Sequence, residues 1–308
     1  MKHLLYPILT SIFFAGSFVA AKYTTLDLEP LTTSLLRYVV ALLFLCMLVF
    51  HQKSKALQIK NKDLFAFFFL GLTGIVGYHY FFFLSLKFTE IANTAIINAT
   101  SPVVTAIAAA FFLNERLGRW NYLGGLLAFI GVIFLLIQGD VQRLFELRFN
   151  QGDLLMLLSV VSWVIYSLII KRMATRYSGF TLTFYATLFG VFQLFFLALG
   201  EQPLEQLKTI SAESIGAIFY MGIVASGLGY LLYNVSIQKL GPTKTSSTVY
   251  SLVPILVSIL AFLFFDESIT LVMLFSIAGI IIGLLFVMME RKPTFNDANE
   301  VHADLLDE

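Results

Sequence analysis

The residues that could do chemistry are polar side chains placed inside apolar stretches of the chain. In one stretch, Thr94, Asn98, Ser101 and Thr105 recur at a spacing that puts them on one face of a helix. The other neutral candidates are aromatic or hydrogen-bonding residues: Tyr78, His79, Trp163, Tyr166, Tyr230, Asn234 and Tyr250. Aromatic walls with a few hydrogen-bonding groups suit a small amphipathic solute. Hydrogen bonding between helices and anchoring at the membrane interface use the same residue types, so these functions stay open as well.

The charged candidate is Arg37, which follows Pro30 by seven residues. At about 1.5 Å of rise per residue, its Cα lies roughly 10 Å into a helix. Its side chain either extends back to the outer headgroups or faces a cavity and binds a carboxylate. The sequence leaves both orientations open.

Motifs for catalysis and for cofactors are absent from the sequence. It has no Walker A loop, no His-Glu-x-x-His and no paired carboxylates inside an apolar run. Its single cysteine, Cys46, excludes disulfides and thiolate metal sites. We therefore predict no catalytic residue, no cofactor and no metal. The expected partners are a small-molecule substrate and the lipid bilayer, without nucleic acid. A homodimer is a further expectation if the Gly279–Gly283 contact face packs between chains rather than within one.

The composition places these residues in a membrane. The chain has 308 residues, of which 58% are hydrophobic and 13% charged, with a mean hydropathy of +0.86. Soluble domains carry about 25% charged residues, so lipid is the expected solvent. About 20 apolar residues cross the hydrocarbon core as a helix. Ten runs meet this length: 4–21, 31–50, 64–86, 92–113, 120–138, 153–170, 179–199, 214–236, 243–265 and 269–289.

The second half of the chain repeats the first at an offset of 152 residues. The matched pairs are Gly77-Tyr78 with Gly229-Tyr230, Lys87 with Lys239, Pro102 with Pro254, Glu115 with Glu267, and Gly131 with Gly283. Five helices per half would insert the second half upside down, an architecture typical of secondary transporters. Pro102 and Pro254 would bend their helices, either as pivots or as static curvature.

We therefore predict an all-α integral membrane protein with ten transmembrane helices in two inverted five-helix repeats. The first repeat is 1–138 and the second is 153–289, joined by an outer linker at 139–152. Residues 290–308 are acidic and poor in apolar groups, and we expect a disordered cytoplasmic tail.

These motifs resemble the EamA family of the drug/metabolite transporter superfamily. The resemblance rests on the inverted duplication, on a proline followed by a glutamate in both halves (Pro102–Glu115, Pro254–Glu267) and on the stretch from Trp163 to Lys171. It implies an exporter of amino acids or other small metabolites in a bacterial inner membrane, with a central cavity between the repeats. The chain departs from the family pattern at Phe14, where many members carry a tryptophan.

Two classes of function are compatible with the sequence. The first is a secondary transporter, expected to be an exporter, with import or exchange of another solute class as its variant. The second is a membrane scaffold or sensor that does not transport. His79 is the one titratable candidate inside a span, so we expect uniport or exchange, with any proton coupling through His79. The alternative is a histidine that only bonds a neighbouring helix.

Lysine and arginine predict the orientation. With both termini in the cytoplasm, 14 of the 20 lie on the cytoplasmic side and five on the other side, while Arg37 lies within a span. Reporter fusions after Lys62, Arg176 and Arg291 are therefore expected to report cytoplasm. A periplasmic signal at any of these three positions would contradict the count of ten or its orientation.

Overall fold

A computed structural model shows an all-helical chain and describes residues 4–52, 57–112, 118–136, 139–140, 142 and 150–288. Within these ranges there is no strand, and eight helices are long and apolar enough to cross a membrane. Two further apolar helices, Arg119–Leu136 and Leu271–Met288, lie where the fifth and tenth spans are predicted. Length and composition thus identify eight candidate spans, and the count of ten remains a prediction. The predicted tail 290–308 lies outside the described residues.

Within the described residues, fourteen α-helices form the bundle. They are α1 Leu5–Asp27, α2 Pro30–Gln52, α3 Leu64–Leu70, α4 Tyr78–Ser85, α5 Ile91–Asn98, α6 Ser101–Phe112, α7 Arg119–Leu136, α8 Gln151–Met173, α9 Gly179–Ala198, α10 Pro203–Gln206, α11 Ala212–Phe219, α12 Tyr230–Leu240, α13 Pro242–Phe265 and α14 Leu271–Met288. Short 3₁₀ turns occur at Asn61–Asp63 and Leu199–Glu201. Because α8 begins at Gln151, it includes the last two residues of the predicted linker 139–152.

Two π-helical segments interrupt the α-helices at equivalent places in the two halves. Gly71–Gly77 joins α3 to α4, and Tyr220–Gly229 joins α11 to α12. Both end on the glycine of the repeated Gly-Tyr pair. A π-helical segment changes the hydrogen-bond register and leaves carbonyl groups for other donors. The duplication read from the sequence therefore has a counterpart in the backbone.

Large apolar side chains cover the outside of the bundle, and many hydroxyl groups lie inside it. Leu26, Phe65 and Phe111 are among the exposed apolar residues. Buried hydroxyls bond to carbonyls one turn earlier, as Ser11 does to Pro7 at 2.8 Å and Ser167 to Trp163 at 3.0 Å. Such bonds satisfy hydroxyl groups that would otherwise be costly in hydrocarbon.

Several helix ends are held by carboxylates from the other half of the chain. Glu267 accepts from the backbone N–H groups of Ile91 and Ala92 at the start of α5, at 3.1 and 3.2 Å. Glu201 accepts from those of Leu31 and Thr32 at the start of α2, at 3.1 and 2.7 Å. The first N–H groups of a helix have no partner within it and favour negative charge. These contacts fix the two halves to each other at the face of the bundle opposite the start of α1.

The first helix is longer than its predicted run, 4–21. It continues to Asp27 because the Asp27 carboxylate has partners in the other half. Asp27 accepts hydrogen bonds from the Ser211 backbone at 3.0 Å and from the Ser214 hydroxyl at 2.6 Å. Hydropathy alone ends the helix too early, since it does not register such polar anchors.

The two repeated prolines differ in their effect. The helix before Pro102 breaks, so that α5 ends at Asn98 and α6 begins at Ser101, whereas α13 runs without interruption through Pro254. Proline removes a backbone donor and frees the carbonyl four residues earlier. In the first half, the hydroxyl of Ser101 donates to the carbonyl of Asn98 at 2.6 Å. Val253 stands at the equivalent position in the second half and offers no such donor.

Glycines allow the closest helix contacts. A Cβ at Gly131 would lie 3.0 Å from the carbonyl oxygen of Ser276, and one at Gly279 would lie 3.6 Å from the Cα of Gly131. Helices α7 and α14 therefore pack against each other within the chain through this glycine pair. A Cβ at Gly74 would overlap the ring of Tyr166.

We predict that Gly74→Ala lowers the melting temperature of the detergent-solubilised protein. The added methyl group overlaps a fully buried ring, and overpacking of this kind costs about 1–3 kcal/mol. Gly216→Ala is the matched control, because nothing lies within 4 Å of its Cβ position in α11. This control is expected to match or exceed the wild-type melting temperature, since alanine favours helix over glycine by up to about 1 kcal/mol. Equal melting temperatures for Gly74→Ala and wild type would contradict the close contact.

Candidate functional site

A small cavity lies at the centre of the bundle, where the two halves meet. Its volume of about 20 Å³ is enough for one water molecule. We call its lining the central site: Phe14, Ser17, Phe18, Arg37, Tyr78, His79, Phe82, Trp163 and Tyr230. Helices α1, α2 and α4 supply the lining from the first half, and α8 and α12 supply it from the second. Both halves must therefore stay together to form it.

Trp163 is the largest aromatic group of the central site and is 1% exposed. Its ring stacks on that of Tyr166, with centroids 5.1 Å apart, and meets Tyr230 edge-on at 5.1 Å. Phe14 approaches it edge-on at 6.1 Å. Phe14 thus supplies an aromatic wall at the position where the EamA pattern has a tryptophan. Contacts with several rings restrict the orientation of the indole.

A layer of hydrogen bonds supports these rings from behind. The indole N–H of Trp163 donates to the hydroxyl of Tyr233 at 3.0 Å. Tyr166 and Asn234 bond to each other at 2.8 to 3.0 Å, and the Asn234 amide also donates to Thr183 at 2.8 Å. These polar atoms are satisfied within the protein. Tyr166 and Asn234 therefore hold the wall in place and do not line the cavity.

Asn98 and Tyr250, which occupy equivalent positions in the two halves, also lie outside the lining. The Asn98 amide donates to the Tyr78 hydroxyl at 3.1 Å and so orients a residue that does line the cavity. Tyr250 is fully buried. Of the nine substrate-binding candidates in the sequence, the structure brings five to the cavity surface: Arg37, Tyr78, His79, Trp163 and Tyr230. The other four are buried nearby, because neighbouring polar groups or close packing turn them away from the cavity.

Phe14 and Phe18 were missed as lining residues. They lie one turn apart on α1, and their spacing was a usable signal, but aromatic residues are frequent throughout the chain. Ser17 lies between them on the same helix and lines the cavity as well. The two predicted bends, Pro102 and Pro254, lie in α6 and α13 and do not line the cavity.

Arg37 points to the centre of the bundle and not to the headgroups. It is 2% exposed, and its Nε donates to the Ser226 hydroxyl in the second π-helical segment at 2.6 Å. Its Nη1 lies 3.7 Å from the sulfur of Met221. Both partners belong to the other half of the chain. Of the two orientations left open by the sequence, the structure shows the one facing the cavity.

His79 is held by two groups of the first half. Its Nδ1 lies 3.1 Å from the Ile75 carbonyl, and its Nε2 lies 3.2 Å from the Tyr38 hydroxyl. A carbonyl only accepts, so Nδ1 carries the proton and Nε2 accepts from Tyr38. Both nitrogens are thus satisfied in a neutral imidazole.

A larger vestibule of about 610 Å³ opens at the face opposite the start of α1. It is separated from the central site by about one helical turn. Phe18 and Phe82 line the central site, while Lys22 and Leu86, each four residues further on, line the vestibule. The rings of Phe18 and Phe82 meet edge-on at 4.9 Å, and the Lys22 ammonium bonds the Leu86 carbonyl at 3.3 Å. These contacts between α1 and α4 close the passage between the two cavities.

The vestibule carries an acidic group that the sequence analysis did not single out. Partial burial, together with the negative charge of Glu267, raises the pKa of Glu90 above its usual range. Lys22 opposes this shift. Glu90 precedes the first residue of α5 and therefore lies at the membrane boundary.

At the face where α1 begins, one carboxylate and its hydrogen-bond partners join the halves; we call this group the Asp63 cluster. Asp63 accepts from Arg176 at 2.6 Å and from the Tyr177 hydroxyl at 2.7 Å. That hydroxyl also accepts from the Lys60 backbone at 3.0 Å. Burial raises the pKa of Tyr177, and the neighbouring carboxylate adds to the effect. The two halves are thus joined at this face as well as at the face that holds the vestibule.

Several proteins similar to this chain are named as transporters. An uncharacterized transporter of Bacillus subtilis (strain 168), YyaM, is 31% identical over 304 residues, which cover 96% of this chain and 98% of the relative. A probable terminal-alkyne amino-acid exporter of Streptantibioticus cattleyicolor is 22% identical over 208 residues, or 68% of this chain and 67% of the exporter. One solved crystal structure shares the fold, with a TM-score of 0.69 at 16% identity over 94% of this chain and 98% of the other.

The EamA-like transporter family matches two stretches of the chain, residues 1–137 and 150–289. These two matches fall on the two halves that the internal repeat and the paired π-helical segments define. Its relatives are named as transporters, exporters or WAT1-related proteins and not as enzymes. The chain belongs to the EamA-like transporter family, within the drug/metabolite transporter superfamily.

Proposed function

We propose that the protein is a secondary transporter that exports amino acids or similar small metabolites by alternating access around the central site. Bacterial relatives and the charge asymmetry support a place in a bacterial inner membrane, with both termini in the cytoplasm. A homodimer remains an expectation. The glycine contact between α7 and α14 forms within the chain and so gives no support for it.

The observation that carries this proposal is the position of the central site between the halves. Its volume of about 20 Å³ is too small for a metabolite, while a vestibule of about 610 Å³ lies one helical turn away. A solute reaches the site from the vestibule only if the Phe18–Phe82 contact between α1 and α4 opens. Release on the other side requires opening of the Asp63 cluster. A site that opens to one side at a time is what alternating access needs.

The character of the solute follows from the lining and from one relative. Four of the nine lining residues are phenylalanine or tryptophan, and two more are tyrosine. The hydroxyl groups of tyrosine and serine and the imidazole of His79 lie beside these rings. Such a surface suits a small amphipathic molecule. The relative from Streptantibioticus cattleyicolor is named a probable amino-acid exporter, which supports the same solute size. Flux of a panel of amino acids and organic acids in proteoliposomes tests the proposal. Binding of a solute without any flux would contradict transport and favour a membrane scaffold or sensor.

Replacing Trp163 with alanine is expected to reduce flux at least tenfold while the protein still purifies as a folded monodisperse species. The indole contacts rings from both halves, so its loss removes a wall of the site. The control is Trp120→Ala, since Trp120, the other tryptophan, stacks on Phe286 away from the site. Flux of Trp163→Ala equal to that of Trp120→Ala would assign Trp163 a packing role only.

Transport is expected to run as uniport or exchange, with any proton coupling passing through His79. Glutamine at position 79 retains one donor and one acceptor but does not titrate. We expect an imposed pH gradient to change wild-type flux by less than twofold, or to act on wild type and not on His79→Gln. Strong driving by the gradient in His79→Gln would contradict this and point to a carboxylate at a helix end, such as Glu90 or Glu267.

A further inference from the structure

The central site contains one charged side chain among its nine lining residues, and that charge is positive. Arg37 lies in the interior of α2 and is 2% exposed. An arginine side chain stays protonated in proteins, so it does not escape burial by losing its charge. A cation enclosed in the middle of a membrane protein is costly without a negative partner, and such residues mark sites for substrates or ions.

The partners of Arg37 in the described part of the chain are neutral. The Ser226 hydroxyl accepts from Nε at 2.6 Å, and the sulfur of Met221, a weak acceptor, lies 3.7 Å from Nη1. Among described residues, Nη2 forms no hydrogen bond and no carboxylate lies within 4 Å of the guanidinium. The same chain pairs Arg176 with Asp63 and Lys87 with Glu29 nearer the membrane boundary. The guanidinium at the centre thus retains donors for an oxyanion.

The rest of the lining offers a cation of the solute ring faces and hydroxyl groups but no carboxylate. None of the nine residues is acidic, and both nitrogens of His79 are occupied by Ile75 and Tyr38. Phe14, Trp163 and Tyr230 present ring surfaces to the same small space. The charge and the rings therefore call for a molecule with one negative group and an apolar body.

We propose that the transported solute is a small organic monoanion, whose carboxylate binds the Arg37 guanidinium while its apolar part packs against Phe14 and Trp163. An arginine fork binds a carboxylate through two parallel hydrogen bonds. A free amino acid brings an ammonium group for which the lining has no carboxylate, so it binds more weakly than the matching acid. This inference rests on the proposed function and, within its class of small metabolites, favours carboxylic acids that lack a free amine over amino acids.

Binding is measured on the full-length protein in detergent, with Trp120→Phe as the background. This change leaves Trp163 as the single tryptophan, placed in the central site as a fluorescence reporter. The probes are 3-phenylpropionate, L-phenylalanine and 2-phenylethylamine, which share a phenylethyl group and differ in charge. We expect half-saturation by 3-phenylpropionate at a concentration at least tenfold below that of L-phenylalanine, and the weakest response to the amine.

Three arginine variants test the assignment to Arg37. Arg37→Gln is expected to weaken 3-phenylpropionate at least tenfold and to abolish its advantage over L-phenylalanine. Arg37→Lys retains a positive charge and is expected to keep the order of the three probes. Arg172→Gln is the matched control, because Arg172 is exposed at the end of α8 and bonds the Phe112 carbonyl, and it is expected to behave as wild type.

Several outcomes would overturn the proposal. They are L-phenylalanine binding as tightly as 3-phenylpropionate, an unchanged preference in Arg37→Gln, or no response to 3-phenylpropionate. If Arg37→Gln does not fold, the order in which the three probes bind to wild type and to Arg37→Lys still tests the proposal. Flux of the same probes in proteoliposomes separates the two proposals. Anion binding without flux refutes transport and leaves the site intact, whereas flux of phenylalanine without anion binding refutes the anion site alone.

Discussion

Backbone carbonyl groups inside hydrocarbon must find donors within the protein, and this constraint connects the backbone to the central site. Lipid offers no hydrogen bond, and each unsatisfied group costs several kcal/mol. The first π-helical segment leaves carbonyls at Gly74 and Ile75, which accept from Tyr230 and His79, each at 3.1 Å. Residues that line the cavity are therefore also the donors that stabilise the bent backbone. Substituting Tyr230 or His79 therefore alters the cavity lining and also removes a hydrogen bond to the π-helical backbone.

The sequence predicted much of the fold because its signals are long. Ten apolar runs, a fixed offset and matched Gly-Tyr pairs do not depend on the details of packing. The buried polar residues were also predictable, since each must find a partner away from lipid. The π-helical segments were not, because their hydropathy equals that of an α-helix and the change lies in hydrogen-bond register alone.

Which polar residue faces the cavity was decided by contacts between distant parts of the chain. Asn98 and Asn234 were predicted on the same grounds as Tyr78 and Trp163, yet both amides bond tyrosine hydroxyls and lie behind the surface. The sequence gives the depth of Arg37 along its helix but not the direction in which its side chain points, so two orientations stayed open. A hydroxyl 189 residues away, on Ser226, selects the direction. Such pairings are not visible in the pattern of one helix.

The unequal prolines bear on the energy of the transport cycle proposed above. Identical inverted halves would exchange shapes, so the two end states would mirror each other and have equal energies. Here the helix of the first half is interrupted before Pro102, while the equivalent helix of the second half is continuous through Pro254. No symmetry then equates the end states, and about 1.4 kcal/mol between them already gives a tenfold difference in population. In that cycle the two end states of the empty carrier are therefore not required to be equally populated.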